Sequence, residues 1–245
     1  MSALFSRRGP LAPCVAGLVL AAAALCSLAH AQPVASSVDS VAVQSATPVR
    51  HADFGQQTPS PALRQMALWV AASRDNGALP FVIIDKVAAV VFVFDAEARV
   101  LGASPALLGS AVGDESAPGV GNKPLSAVLP QERTTPAGRF VASLDRNLHG
   151  TEILWVDYDA AISLHPVVAG TPKERRAERL ASPSALDKRI SFGCINVPPR
   201  FFSQVVRAAF TGTDGIVYIL PETHPVMAFF GANAVAPEAD AATAK

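Results

Sequence analysis

About a third of the way along the chain two apolar runs stand almost back to back. Phe81, Val82, Ile83 and Ile84 are followed by Asp85 and Lys86, and then by Val87 through Phe94. Side chains branched at Cβ, and aromatic ones, lose χ1 freedom against the preceding turn of a helix but pack well on a pleated surface. Two strands joined by a tight turn are therefore expected here. The pattern recurs after the polar stretch Asp95 to Arg99, with Val100-Leu101 and with Leu107-Leu108 beyond Pro105. It returns in Arg139 to Ala142, Glu152 to Val156, Ala160 to Leu164 and Gly215 to Pro221. The segments from Phe81 to Leu108 read as successive antiparallel strands and the later ones as further strands, so the fold class expected is mainly β, a sandwich or barrel with a few short helices. A composition rich in Val, Ala and Pro, with 7% aromatics, agrees with that better than with a helical bundle.

Two segments break the β pattern. Between Pro61 and Asn76, residues Leu63, Met66, Ala67, Val70 and Ala71 recur at helical spacing, and Asn76-Gly77 stops the run. Pro198-Pro199 is placed to open a second helix through Phe202, Val205, Val206 and Ala209, because proline is tolerated in the first turn. Gly109 to Pro130, rich in Gly, Pro, Ser and Asp, reads as a long surface loop of the kind that often carries function.

The ends differ in composition from this middle. Arg7 and Arg8 precede an almost wholly apolar stretch from Leu11 to Leu28, and Ala29-His30-Ala31 supplies the small residues of a signal-peptidase site. Residues 1–31 therefore read as a cleavable export signal, with the general and twin-arginine routes both open. As a membrane anchor the segment lacks a cationic far flank, so no stable membrane insertion is expected after cleavage. Residues 32–60 read as a disordered linker, 61–79 as a short helix leading into the domain, 80–222 as the domain itself, and 223–245 as a disordered tail. An exported protein of this kind belongs in the periplasm or cell envelope. The chain has 20 basic and 20 acidic residues, and the signal takes two arginines with it, so nucleic acid is excluded as a partner. A monomer is expected.

Export also bears on the cysteines. Cys14 and Cys26 leave with the signal, and Pro13 and Leu25 before them are unlike the small residue of a lipid-attachment site. One thiol remains, Cys194, in the run Ile190-Ser191-Phe192-Gly193-Cys194-Ile195-Asn196. Without a disulfide partner it is either a small buried apolar residue or a reactive group. A free thiol, with a pKa of about 8.5, needs a neighbour to take its proton or hold its charge. His165, at the exit of the strand ending in Leu164, stands where an imidazole can project into a cleft on a fixed backbone. The alternative is a satisfied histidine at a strand end. His149 lies in the polar turn Asn147 to Gly150, and His224 lies beyond the last strand, which makes both weaker candidates for a base. Gly193 permits a sharp turn and a close approach of a substrate carbonyl, with backbone N–H groups near Cys194 available to an oxyanion. If the helix opened by Pro198-Pro199 points at the thiol, its dipole also favours a thiolate. Ser191 reads as a turn-stabilising hydroxyl. Asn196 either caps backbone or touches substrate, and Arg139 either meets a substrate carboxylate or is an exposed strand arginine. With few histidines, one mature cysteine and no close-spaced ligand pair, neither a metal nor another cofactor is expected.

The run Ser191 to Asn196, preceded by a strand ending in His165 and by Thr135-Pro136-Ala137-Gly138-Arg139-Phe140, resembles the catalytic domain of the bacterial L,D-transpeptidases. The likeness extends from about Phe81 to Glu222. It implies a mostly β fold with Cys194 as nucleophile and His165 as its base. The implied reaction is attack on a tetrapeptide stem of peptidoglycan at its L,D-amide, release of the terminal D-alanine, and acyl transfer to an amine of another stem. It places Gly193 and Ser191 at the oxyanion turn, and Phe192, Asn196 and Arg139 beside substrate. Three departures stand out. Phe192 replaces a second histidine common in the family. Pro166 follows His165, where the family uses a backbone carbonyl that proline keeps. The loop from Pro166 to Arg189 is longer than usual and carries many charges, readable either as a recognition surface or as a solvated helix. A peptidoglycan-binding module without activity, an L,D-carboxypeptidase or endopeptidase of the same fold, and an inert buried Cys194 are the remaining alternatives.

Overall fold

The computed structural model describes residues 49–231. The expected signal, most of the expected linker and the last part of the expected tail lie outside the described residues. In chain order the elements are α1 (Pro61–Ser73), β1 (Phe81–Asp85), β2 (Val90–Phe94), β3 (Val100–Pro105), β4 (Leu108–Gly109), β5 (Gly138–Arg146), β6 (Glu152–Asp157) and β7 (Ile162–Pro166). They are followed by α2 (Arg176–Ala181), β8 (Arg189–Ser191), β9 (Ile195–Val197), a helical stretch over residues 199–210, β10 (Gly215–Ile219) and a helical turn at Val226–Phe229. The fold is mainly β with a few short helices, as its alternating segments predict.

One sheet holds eight strands in the order β3-β2-β1-β10-β5-β6-β7-β9, and β4 pairs with β8 beside it. β1, β2 and β3 are antiparallel neighbours as expected of successive strands, but β4 leaves that series to pair in parallel with β8, and β1 with β10 and β7 with β9 also run parallel. Parallel neighbours need long connections: the charged loop and β8 lie between β7 and β9, and all the elements from β2 to the helical stretch lie between β1 and β10.

Period-2 alternation sorts the strand residues between two cores. Val82, Ile84, Val91, Val93, Val217, Ile219, Leu154, Val156, Ile162, Leu164, Ile195 and Val197 all enter one cluster, closed from the other side by Phe202, Val206 and Phe210 of the helix. Strands from both halves of the sheet, β2 and β1 as well as β7 and β9, feed the same cluster, so the sheet curls around it. The opposite faces of β1, β2 and β10 present Phe81, Ile83, Phe92, Phe94, Ile216 and Tyr218 to α1, which buries Leu63, Met66, Ala67, Val70 and Ala71 against them. This explains the unbroken hydrophobicity of Phe81 to Ile84, since both faces of β1 are covered. Each such side chain contributes about 1.5–3 kcal/mol by leaving water.

α1 begins where Ser60 Oγ accepts the Leu63 N–H at 3.1 Å, with Pro61 at the first helical position, and ends at Arg74 in a left-handed conformation. The domain reaches further out than its expected limits. Asp53 bridges Arg99, Phe54 is buried in the second core, and Ser60 Oγ donates to Asp85 Oδ2 at 2.5 Å, so residues 53–60 are part of the packed unit. At the other end Phe230 meets Tyr218 edge to face at 6.2 Å. The apolar contacts of Phe54 and Phe230 draw these flanks in despite their polar composition. None of β5, β6 or β7 contributes a residue to the second core among the described residues. Their second face carries Trp155, Ser163 and His165. No helix among the described residues is long and apolar enough to cross a membrane.

Candidate active site

β7 and β9 are parallel neighbours in the register Leu164 with Ile195 and His165 with Asn196. Because Leu164 and Ile195 face the first core, Ser163, His165 and the residues flanking Ile195 are directed to the opposite side. Cys194 leads into β9 at this point, which brings the free thiol and the imidazole from sequence positions 29 apart to one spot.

The groups around the sulfur come from the β6–β7 hairpin. Ser163 Oγ lies 3.6 Å from Cys194 Sγ, and the Ala161 carbonyl lies 3.6 Å away on another side. Ala161 holds φ of +55°, a costly conformation for a residue with a Cβ, and its carbonyl is thereby turned to the thiol. His165 Nδ1–H donates to the Pro166 carbonyl at 2.8 Å, which fixes the ring and leaves Nε2 for the sulfur. The carbonyl orienting the ring thus belongs to the proline that departs from the family pattern.

Electrostatics bind the two side chains together. Burial pushes the Cys194 thiol up, yet the hydrogen bond and charge of His165, helped by Ser163, bring it below its ordinary value. Burial pulls the His165 imidazole down, while its contact with Cys194 and the Pro166 carbonyl raise it above the ordinary value, against an opposing effect of the Arg176 charge. Both directions favour thiolate beside imidazolium. The proton belongs to the pair rather than to either residue.

The turn that carries Cys194 is held from several sides. Gly193 has φ of +129°, and a Cβ there would come within 2.8 Å of both Ile162 Cδ1 and the Thr134 carbonyl, so only glycine fits. Ser191 Oγ donates to the Cys194 carbonyl at 2.6 Å and accepts the Gly193 N–H at 3.1 Å. Ser191 is therefore a turn-stabilising hydroxyl, and the Gly193 N–H is directed inward rather than offered to an oxyanion. Asn196 is buried, donates from Nδ2 to the Cys194 carbonyl at 3.2 Å, and accepts from Arg176 Nη1 at 3.1 Å. Thr135 Oγ1 donates to the Gly193 carbonyl at 2.7 Å and accepts the Gly109 N–H at 2.9 Å.

Behind Thr135 lies a buried ionic cluster. Lys86 Nζ reaches Asp114 Oδ1 at 2.8 Å, the Gly113 carbonyl at 2.5 Å and the Thr135 carbonyl at 3.0 Å, with Glu222 at 3.6 Å. Arg189 pairs with Glu222 and donates to the Lys86 carbonyl at 3.0 Å. Burial raises the Asp114 carboxyl, but Lys86, Thr223, His224 and the Glu222 N–H outweigh it and hold the carboxyl well below the usual carboxylate range. From its sequence position Lys86 reads as an ordinary exposed turn lysine; the long loop, β8 and the chain after β10 together enclose it.

Phe192 lies under the Arg133 guanidinium, 4.2 Å from ring centroid to Cζ, so it joins the segment after the long loop to the cysteine turn. Gly121 of that loop packs directly on the backbone of residues 159–161. Arg139 is not brought to the pair. Its Nε donates to Asp75 Oδ2 at 2.6 Å and its guanidinium lies over Tyr218, because its register opposite Tyr218 aims it at the end of α1. His149 is exposed in the β5–β6 turn, and His224 meets Asp114 at 3.0 Å. The helix at residues 199–210 supplies none of the groups around the sulfur described above; it packs Phe202, Val206 and Phe210 into the first core on the opposite face of the sheet.

Sequence reasoning missed Ser163, Arg176 and Trp155. Ser163 was discoverable by period 2 from His165. Trp155 is directly opposite Ser163 across the hairpin and stacks on Tyr158 at 4.7 Å, which places an aromatic pair on the same face.

Neither a scan of protein-family models nor a search of curated proteins gives a match. A search of solved structures gives 22 matching chains. Among them, the LD transpeptidase LdtMt1 in complex with imipenem is 16% identical over 58% of this chain and 58% of that one, with a TM-score of 0.36. The helical cell shape determining protein Pgp2 from Campylobacter jejuni is 13% identical over 59% of this chain and 48% of that one, TM-score 0.40. The catalytic domain from the E. faecium L,D-transpeptidase is 16% identical over 58% of this chain and 98% of that one, TM-score 0.33. The chain thus spans about half the length of the first two. At such identities and scores nothing about activity passes from these proteins to this chain.

Proposed function

We propose that this chain is an exported cysteine acyltransferase acting on peptidoglycan stem peptides, with Cys194 as nucleophile and His165 as its acid and base. The observation that carries the reading is the thiol and imidazole held together on one sheet face, each shifting the other toward its charged form. A solitary free cysteine in that setting is poised for nucleophilic attack. The resemblance of Ser191 to Asn196 to the L,D-transpeptidase motif supplies the substrate class.

In this reading the Cys194 thiolate attacks the carbonyl carbon of the stem's L,D-amide. The oxyanion that forms is met by the Cys194 N–H, since the Gly193 N–H is directed to Ser191. As the carbon–nitrogen bond breaks, the His165 imidazolium gives its proton to the departing amine of D-alanine, leaving a thioester. An acceptor amine then enters, loses its proton to His165 and displaces the thiol; water in the same role gives a trimmed stem. The Pro166 carbonyl keeps Nε2 aimed at the reacting atoms throughout. No metal or other cofactor is needed for these steps.

The test is mass spectrometry of the mature chain incubated with purified muropeptides. Wild type should carry a thioester of the stem lacking its terminal D-alanine, and Cys194→Ala should carry none. A folded, alkylatable wild type that forms no adduct and changes no muropeptide would overturn the proposal. The products identify the acceptor as amine or water.

A further inference from the structure

The loop between β7 and β8 has its own architecture beside the candidate pair. Over residues 166–189 it carries six cations against three acids in a chain that is otherwise balanced. Arg176, at the start of α2, is drawn inward: its side chain is only 11% exposed, its Nε donates to Glu174 Oε2 at 2.7 Å, and its Nη1 donates to Asn196 Oδ1 at 3.1 Å. Gly170, with φ of +65°, presses so closely on the Glu174–Arg176 pair that a Cβ there would overlap both side chains. The arginine is thus fixed to the cysteine turn through Asn196, whose Nδ2 holds the Cys194 carbonyl. Beside it opens a cleft of about 390 Å³ whose walls are mostly apolar, from Val167, Val168, Ala169, Pro172 and Ala177, with the Arg175–Glu178 ion pair on its lining as well as Arg176.

Glu174 takes the Nε edge of the guanidinium, and the other edge is shared only with a neutral amide oxygen. A guanidinium edge of this kind matches a carboxylate bidentately. The location matters as much as the chemistry. In an amino acid the carboxyl carbon is two bonds from the nitrogen, about 2.5 Å in space. A cation that recognises the carboxylate of a departing amino acid must therefore adjoin the imidazole that protonates its amine. Asn196, which accepts from Arg176 Nη1 at 3.1 Å, is the register partner of His165 across β7 and β9, so the guanidinium is anchored one strand away from the imidazole.

We propose that Arg176 is the receptor for the free carboxylate of the stem's departing terminal residue, and that the adjoining apolar cleft takes its small side chain. This rests on the acyl-transfer reading above and deepens it: the donor must end in a free carboxylate one residue beyond the cleaved amide. During transfer the sulfur–carbon bond forms, the amide carbon–nitrogen bond breaks, the imidazolium proton goes to the amine, and the carboxylate stays on Arg176 unchanged. Glu174 is then an internal competitor for the same guanidinium.

The experiment uses the mature chain with Cys194→Ala, so that nothing reacts, and two synthetic tetrapeptide stems that differ only in ending as D-alanine carboxylate or D-alanine carboxamide. Calorimetric titration should show the carboxylate binding about tenfold to a hundredfold more tightly. Adding Arg176→Ala should erase that gap while leaving the carboxamide affinity in place, and Arg176→Lys should restore part of it. Adding Glu174→Gln should tighten the carboxylate about threefold to tenfold, whereas loss of a purely structural ion pair would weaken both peptides alike. Equal binding of the two peptides, no binding of either, or a gap that survives Arg176→Ala overturns the assignment. Failure of the acyl-transfer reading is separate: wild type would then form no thioester even if the Arg176-dependent preference is present.

Discussion

Replacing Thr135 with valine removes one oxygen and almost no volume, and the structure specifies what that oxygen does. The residue is fully buried. Its hydroxyl accepts the Gly109 N–H at 2.9 Å and donates to the Gly193 carbonyl at 2.7 Å, joining the segment before the long loop to the turn that carries Cys194. Valine leaves both backbone groups buried and unpaired, at about 1–3 kcal/mol each, or about 2–6 kcal/mol together. Water is poorly placed to replace the hydroxyl, because Gly109 is already packed against the backbone of residues 133–135. A loss of that size is a large share of the about 5–15 kcal/mol by which domains are stable. Urea titration should show a lower midpoint with an unchanged slope. Iodoacetamide alkylation of Cys194, followed over pH, should show a changed profile as Gly193 loses its anchor. Thr135→Ser, which keeps the oxygen, should lose only about 1 kcal/mol and retain the wild-type profile. The reasoning fails if Thr135→Val stays within about 0.5 kcal/mol of wild type, a range usual for substitutions that break nothing, or if serine is as harmful as valine.

Four further outcomes follow from the same geometry. Because His165 holds the Cys194 thiol below its ordinary range, wild-type alkylation should persist into acid; His165→Asn should move the curve upward, as burial is then opposed by Ser163 alone, and an unmoved curve would remove His165 from the pair. Gly193→Ala should cost about 1–3 kcal/mol from its backbone conformation and reduce thioester formation by about a hundredfold through misplacement of the thiol, both measurable on one preparation by denaturation and mass spectrometry. Lys86→Met should destabilise by about 3–5 kcal/mol by leaving the buried Asp114 carboxylate without its cation while Glu222 keeps Arg189, and adding Asp114→Asn, which removes the charge and retains an acceptor oxygen, should recover part of the loss in urea titrations. Asp114 has a folded pKa below its unfolded value of about 3.9, so its contribution is complete above about pH 4 and is lost as pH falls toward the folded pKa. Asp114→Asn should therefore flatten stability against pH below about pH 4, and an unchanged acid limb in circular dichroism would count against the cluster.

The sequence by itself determined the local matters. Alternation and β-branching marked the strands from Phe81 to Pro221, helical spacing marked α1, and the one cysteine beyond the expected export signal directed attention to Cys194 and, by its own place at a strand exit, to His165. These are short-range properties, written in neighbours two to four residues apart. Tertiary structure alone decided which strands lie side by side, because the parallel pairs β1/β10 and β7/β9 join segments whose pairing leaves no mark in local periodicity. It likewise decided the fate of the charges. Arg139, beside the motif in sequence, is directed to Asp75 by its strand register, while Arg176, in a loop that reads as a solvated helix, reaches Asn196. Lys86 and Asp114 look like turn and loop polars until three separate segments close over them. A side chain's charge is local, but its burial and its partner are set by residues brought from far along the chain.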